Sequence, residues 1–122
     1  MGGIGAFIVA SLPSGLSTVG PAVFAFDAWC LATPGIVWLG GYKSDMLGTK
    51  AETLSDWAAR EGRAFLRHDY SGHGESCGAF ADGTISKWLG ESLAVFRRFT
   101  KGRQVLVGSS MGAWIALRMV QE

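Results

Sequence analysis

The stretch "RQVLVGSSMGAWIAL", residues 103–117, decides how this chain is read. Its first half is a short apolar run, as a buried strand requires. From Met111 to about Val120 the apolar side chains recur at helical spacing. Between the two lie Gly108, Ser109, Ser110, Met111 and Gly112, the pattern G-x-S-x-G. A strand that becomes a helix in so few residues needs small side chains where the backbones cross, and the central hydroxyl then projects from the bend. The pattern occurs again at Gly74-Glu75-Ser76-Cys77-Gly78, but there it follows a turn and leads into "AFADG", which has no helical period. Ser76 is therefore a loop residue and Ser110 the candidate nucleophile. The competing role for Ser110 is a small residue at an ordinary turn, or a cap for the helix that follows.

Upstream, strand and helix signals alternate. "GIVWLGG" (35–41) is a continuous apolar run bounded by glycines. Leu47, Ala51, Leu54 and Trp57 then recur at helical spacing, and Gly62 stands where a helix ends. "RAFLRHD" (63–69) reads as a second strand, followed by the glycine-rich turn "YSGHGESCG". Asp82 or Thr84 can cap a helix that carries Ile85, Trp88, Leu89, Ser92, Leu93, Phe96 and Phe99 near one face, with Gly102 closing it. "QVLVG" (104–108) is the third strand. This alternation predicts an α/β fold: a mostly parallel sheet with crossover helices, and Trp57, Trp88 and Phe96 in its core. If strands 63–69 and 104–108 flank strand 35–41, the winding reverses beside the central strand, where ligands bind in such sheets.

Residues 1–33 differ from the rest. Between Met1 and Tyr42 only Asp27 carries a charge, and the segment has no clear period. It lacks a basic start, and Pro13, Pro21 and Asp27 interrupt it, which argues against a secretion signal or a membrane span. Ala6 stands where a myristoylation signal needs Ser or Thr. We therefore divide the chain into an apolar lead segment, 1–33, and a globular unit, 34–122. A net charge of +1, with 11 basic against 10 acidic residues, offers no surface for nucleic acid. Two cysteines, Cys30 and Cys77, fit no disulfide framework or metal pair and suggest a reducing, cytoplasmic setting.

Acyl transfer at Ser110 would need two N–H groups facing the developing oxyanion. One comes from the residue after the nucleophile, Met111, and the other from the loop after an earlier strand. "LGGYKSDM" follows "GIVW", and the expected donor is the amide of Tyr42, with that of Gly41 as the neighbouring alternative. Gly41, Gly108 and Gly112 are the supporting small residues. Nucleotide binding finds no support, because "GGIGAF" lacks the G-x-G-x-x-G spacing and no phosphate loop occurs.

Three runs in this order, "GIVWLGGYKSDMLGTKA", "RAFLRHDYSGHGES" and "VLVGSSMGAWIAL", resemble the oxyanion loop, the D-x-x-G-x-G-x-S turn and the nucleophile elbow of the α/β-hydrolase superfamily. The resemblance spans residues 35–122 and is nearest to the mitochondrial acyl-protein thioesterase and acyl-glucuronide esterase subgroup. It implies a serine hydrolase of small-molecule carboxylic esters or thioesters, working without metal or organic cofactor. It also implies that Asp69, Gly72 and Gly74 build the turn after the second strand, and that His68 and His73 are structural.

In this fold the acid and then the histidine of the triad follow the serine. After Ser110 the only acid is Glu122, and no histidine occurs. Without imidazole a serine hydroxyl is a poor nucleophile at neutral pH. The expectation is an N-terminal portion of a hydrolase, cut after the elbow helix and inactive by itself. The alternative is a non-catalytic α/β module that kept the sheet.

Overall fold

The computed structural model describes residues 8–11, 17–20 and 32–122. One sheet runs through them. Its strands are β1 (Ile8–Ser11), β2 (Ser17–Gly20), β3 (Ala32–Leu39), β4 (Arg63–His68) and β5 (Gln104–Gly108), in the spatial order β2-β1-β4-β3-β5. β4 and β5 both pair parallel to β3, on opposite sides of it, with Val37 opposite Leu66 and Leu106. β1 pairs antiparallel with β4, and β2 with β1. Parts of the lead segment thus extend the sheet beyond β4, and β3 itself begins at Ala32.

Each parallel step is made by a helix: α1 (Thr49–Arg60) between β3 and β4, and α2 (Ile85–Phe99) between β4 and β5. A third helix, α3 (Met111–Val120), leaves β5 directly. Thr84 caps α2 by accepting the amide of Lys87 at 3.1 Å, so Thr84 rather than Asp82 holds that end. Asp82 closes a short 3-10 turn, Phe80–Asp82. Gly62, just past α1, takes φ +65, the left-handed geometry that a glycine allows at a helix end.

β3 is buried on both faces, as its continuous apolar run requires. Ile36 and Trp38 pack with Ala51 and Ala58 of α1 and with Phe65. Leu39 packs on the other face with Tyr70, Trp88, Leu89, Met111, Ile115 and Met119. Trp57 does not join the core. It is 38% exposed, and Leu47 lies before α1 and is 52% exposed. The fully buried positions of α1 are Ala51, Ser55 and Ala58, small side chains that fit where Trp38 fills the layer between helix and sheet, and Leu54 packs partly buried beside them. Trp88 is buried and Phe96 packs partly buried against the core, as expected.

His68 ends β4 inside this core. Ser92 donates its hydroxyl to the carbonyl of Trp88 at 2.8 Å, so it accepts from Nε2–H of His68 at 3.1 Å. The other ring nitrogen, Nδ1, has no partner among the described residues. A proton added there would be a buried donor without an acceptor, and burial accordingly lowers the His68 pKa from 6.5 to about 4. With the folded value below the unfolded one, this contribution to stability is complete above pH 6.5 and is lost as pH falls through about 4. The loss at the acid end should approach about 3 kcal/mol. His68→Gln, which removes the titration, is expected to flatten the pH dependence of the urea midpoint between those limits relative to the parent chain. Asp69, whose pKa burial raises, acts in the opposite sense at the acid end, so the difference between variant and parent is the quantity to measure.

Candidate active site

The C-terminal ends of β3 and β5 meet at one point. The amide of Ser109 donates to the carbonyl of Leu39 at 3.1 Å and extends the β3–β5 ladder by one rung. The chain then reverses at Ser110, whose φ of 55 and ψ of −118 are among the sparsely populated backbone values. Lys43 is the only other described residue except glycines with positive φ. Ser110 makes no side-chain cap bond to α3 and its side chain is exposed. The capping role considered from sequence is therefore not the one it plays.

Two glycines make the bend possible. A side-chain carbon on Gly112 would overlap the carbonyl of Leu39, and one on Gly108 would overlap the backbone of Gly112 and Ala113. The first turn of α3 thus rests directly on the end of the central strand. Gly41 faces the same bend: a side-chain carbon there would lie 3.7 Å from Cβ of Ser110 and 3.3 Å from the carbonyl oxygen of Ser109. The structure brings Gly41, Gly108, Ser110 and Gly112 together, and Tyr42 and Met111 are the next residues along the two strands of this junction. Among the described residues, neither the amide of Tyr42 nor that of Met111 has a hydrogen-bond acceptor.

The loop after β3 is held from below. Tyr70 donates its hydroxyl to the carbonyl of Gly40 at 2.9 Å. Asp69 accepts the amide of Met46 at 2.7 Å and that of Glu75 at 3.2 Å, tying the loop to the glycine-rich turn. Gly74 has φ +49, and any side-chain carbon there would overlap the Asp69 carboxylate. Arg67 reaches the carbonyl of Met46 at 3.0 Å and Glu52 at 2.9 Å. The Tyr42 ring sits edge-on to Phe80 at 4.9 Å, with the Lys43 ammonium 5.0 Å from the Phe80 centroid.

The two histidines lie elsewhere in the packing. His68 is bonded to Ser92, and His73 is buried among Tyr70, Phe80 and Trp88 with Nδ1 on the carbonyl of Ser71 at 3.1 Å. Ser76 donates to the backbone carbonyl of Asp69 at 2.8 Å, as a turn residue does. Among the described residues, no three His, Cys, Asp or Glu side chains gather as a metal site needs. One contact was missed from sequence: Lys50 donates to the hydroxyl of Ser109 at 3.1 Å. Its signal was a cation in the first turn of a helix, where the dipole disfavours it.

No family model matches the chain. The mitochondrial palmitoyl-protein thioesterase ABHD10 of Mus musculus is 44% identical over 85 residues, which cover 70% of this chain and 29% of that protein. The Homo sapiens protein of the same name is 41% identical over 85 residues, covering 70% and 28%. A solved structure from Agrobacterium vitis S4, provisionally named a hydrolase, is 60% identical with a TM-score of 0.71, covering 72% of this chain and 34% of that one. Alpha/beta hydrolase domain-containing protein 10 from mouse superposes with a TM-score of 0.69 at 42% identity, covering 71% and 35%. This chain belongs to the α/β-hydrolase superfamily. It lies near the ABHD10 subgroup and carries part of the hydrolase fold, spanning 29% or less of the length of the two curated relatives just named. No helix among the described residues is long and apolar enough to cross a membrane.

The elbow glycines and the strained serine make opposite predictions for stability. Gly112→Val, which drives a side chain into the Leu39 carbonyl, should cost more than about 2 kcal/mol, in the range of overpacked cores. Ser110→Gly, which relieves the backbone strain at that position, should stabilise the chain by about 1 kcal/mol. Urea midpoints of both variants check this; a destabilised Ser110→Gly would show that the strain is absent.

Proposed function

We propose that the full-length protein is a serine hydrolase of carboxylic esters or thioesters, with Ser110 as its nucleophile. The hydroxyl adds to the substrate carbonyl carbon and transfers its proton to a base. The tetrahedral oxyanion accepts hydrogen bonds from the amides of Met111 and Tyr42, and its collapse expels the alcohol or thiol. Water then adds to the acyl-serine and releases the acid. The observation that carries this reading is the exposed, strained Ser110 at the end of the central strand, beside two amides that have no acceptor among the described residues.

The thioesterase named among the mammalian relatives supports the acyl chemistry, and nothing in the proposal calls for a cofactor. In these 122 residues both imidazoles are bonded away from Ser110, so this chain by itself is expected to turn over esters poorly. A non-catalytic α/β module remains the second reading, favoured by those same histidine contacts. The exposed free thiol of Cys77 fits a reducing, cytoplasmic setting, while the mammalian relatives are named mitochondrial.

A fluorophosphonate probe should label Ser110 in the full-length protein, and Ser110→Ala should lose the label. Tyr42→Pro, which removes one oxyanion donor, should lower kcat by about 10² to 10³. Full-length protein that folds cooperatively yet takes up no probe would favour the non-catalytic module.

A further inference from the structure

A net charge near zero conceals an uneven distribution. From Ser92 to Gln121 the sequence holds five cations, Arg97, Arg98, Lys101, Arg103 and Arg118, and no acid. The winding gathers four of them at one edge of the sheet, where the parallel strands begin. Arg97 and Arg98 lie in the last turn of α2, Lys101 in the connection after it, and Arg103 just before β5. Two bonds hold this connection in place. The amide of Gly35 donates to the carbonyl of Arg103 at 3.2 Å, and Nε2 of Gln104 donates to that of Lys101 at 2.8 Å. On the other side of β3, Arg63 opens β4 and donates to the carbonyl of Pro34 at 2.9 Å, and Arg60 ends α1 beside it.

Arg60, Arg97, Arg98, Lys101 and Arg103 are exposed, and none of their side chains has an ion pair or hydrogen bond among the described residues. The acids at this edge are Glu61, just past α1, and Glu122, beyond α3. Cations suit a helix C-terminus, which accounts for Arg97 and Arg98. It does not account for Lys101 and Arg103, which lie beyond the helix. α1 and α2 cover opposite faces of the sheet, so the cations form a broad row across its edge rather than the lining of a groove. Trp57, in the last turn of α1 and 38% exposed, adds an aromatic ring at the rim.

We propose that this edge docks the protein on an anionic phospholipid bilayer, with Arg97, Arg98, Lys101 and Arg103 against the headgroups. A flat sheet of negative charge needs no recess to receive it, and it attracts each Lys or Arg close to its surface. The indole of Trp57 suits the boundary between headgroups and acyl chains. A single-stranded nucleic acid is held instead by a groove with successive aromatic rings, which a flat row with Trp57 at its rim does not supply. The docking edge lies opposite the elbow: β5 separates Arg103 from Ser110 by about 20 Å, so the docked protein turns Ser110 away from the bilayer. The inference does not depend on the role of Ser110.

The test co-sediments full-length protein with phosphatidylserine-rich vesicles and with phosphatidylcholine vesicles at about 0.1 M salt. The protein should bind the anionic vesicles only, and about 1 M salt should release it. Arg98→Gln should weaken binding about fivefold, and the fourfold variant Arg97→Gln/Arg98→Gln/Lys101→Gln/Arg103→Gln more than about a hundredfold. Arg98→Lys, which keeps the charge, should bind as the parent does. Lys87→Gln removes the same charge at the other end of α2, about 16 Å away, and should change binding less than about twofold. Should the fourfold variant melt early, the comparison of Arg98→Gln with Lys87→Gln carries the test.

Absent binding, equal binding to both kinds of vesicle, or equal losses in Arg98→Gln and Lys87→Gln overturn the proposal. A loss in Arg98→Lys as large as in Arg98→Gln also overturns it, because a bilayer reads charge and not guanidinium geometry. Binding to poly(U) RNA with none to vesicles would assign the edge to nucleic acid instead.

Discussion

The contact between Gly112 and the carbonyl of Leu39 is the constraint on which the junction depends. It lets the first turn of α3 rest on the end of β3 with no side chain between them. Were that helix lifted by the width of a methyl group, Ser109 could not reach Leu39, and the bend at Ser110 would lose its anchor. Gly108 serves the other side of the same crossing. Close backbone contact thus converts the sheet's rigidity into a fixed position for one exposed hydroxyl. The unfavourable φ of Ser110 survives because the ladder bond before it and the helix after it leave no relaxed alternative.

A second restraint sets the loop opposite. Asp69 accepts one amide from the loop after β3 and one from the glycine-rich turn after β4, so two connections that approach each other only in the folded state share one carboxylate. Burial raises its pKa while those two amides pull it back. Arg67 braces the same loop from the carbonyl side of Met46. Gly40 and Gly41 are positioned by this scaffold, and the direction of the Tyr42 amide follows.

Much of this was legible in the residues. The parallel order around β3, the helix from Met111 and the small residues at the bend follow from period, from glycine spacing and from the rule that crossovers in parallel sheets are helical. What periodicity could not provide was which side of α1 faces inward. Of the stripe Leu47, Ala51, Leu54 and Trp57, Ala51 is buried and Leu54 packs partly buried against the core, but Leu47 and Trp57 stay exposed, because Trp38 arrives from the sheet and Ser55 and Ala58 complete the inward face. Volume complementarity between elements distant in sequence overrode local hydrophobicity. The bridging role of Asp69 was equally hidden, because its partners lie 23 residues before it and 6 after it. The Lys50–Ser109 pair, 59 residues apart, could be seen only once both elements were placed.

The electrostatic character of the site is a product of the winding. In a right-handed parallel crossover each helix begins near the carboxyl end of the strand before it. α1 follows β3 and α3 follows β5, and these strands are neighbours, so both helices point their N-termini toward the same edge of the sheet. Their partial positive charges and unsatisfied amides converge there before any side chain is considered. A reaction that develops negative charge on oxygen suits that edge, and the lysine in the first turn of α1 adds to a field already set by the backbone. The glycines of the bend and the Asp69 bridge then fix where the Ser110 hydroxyl stands.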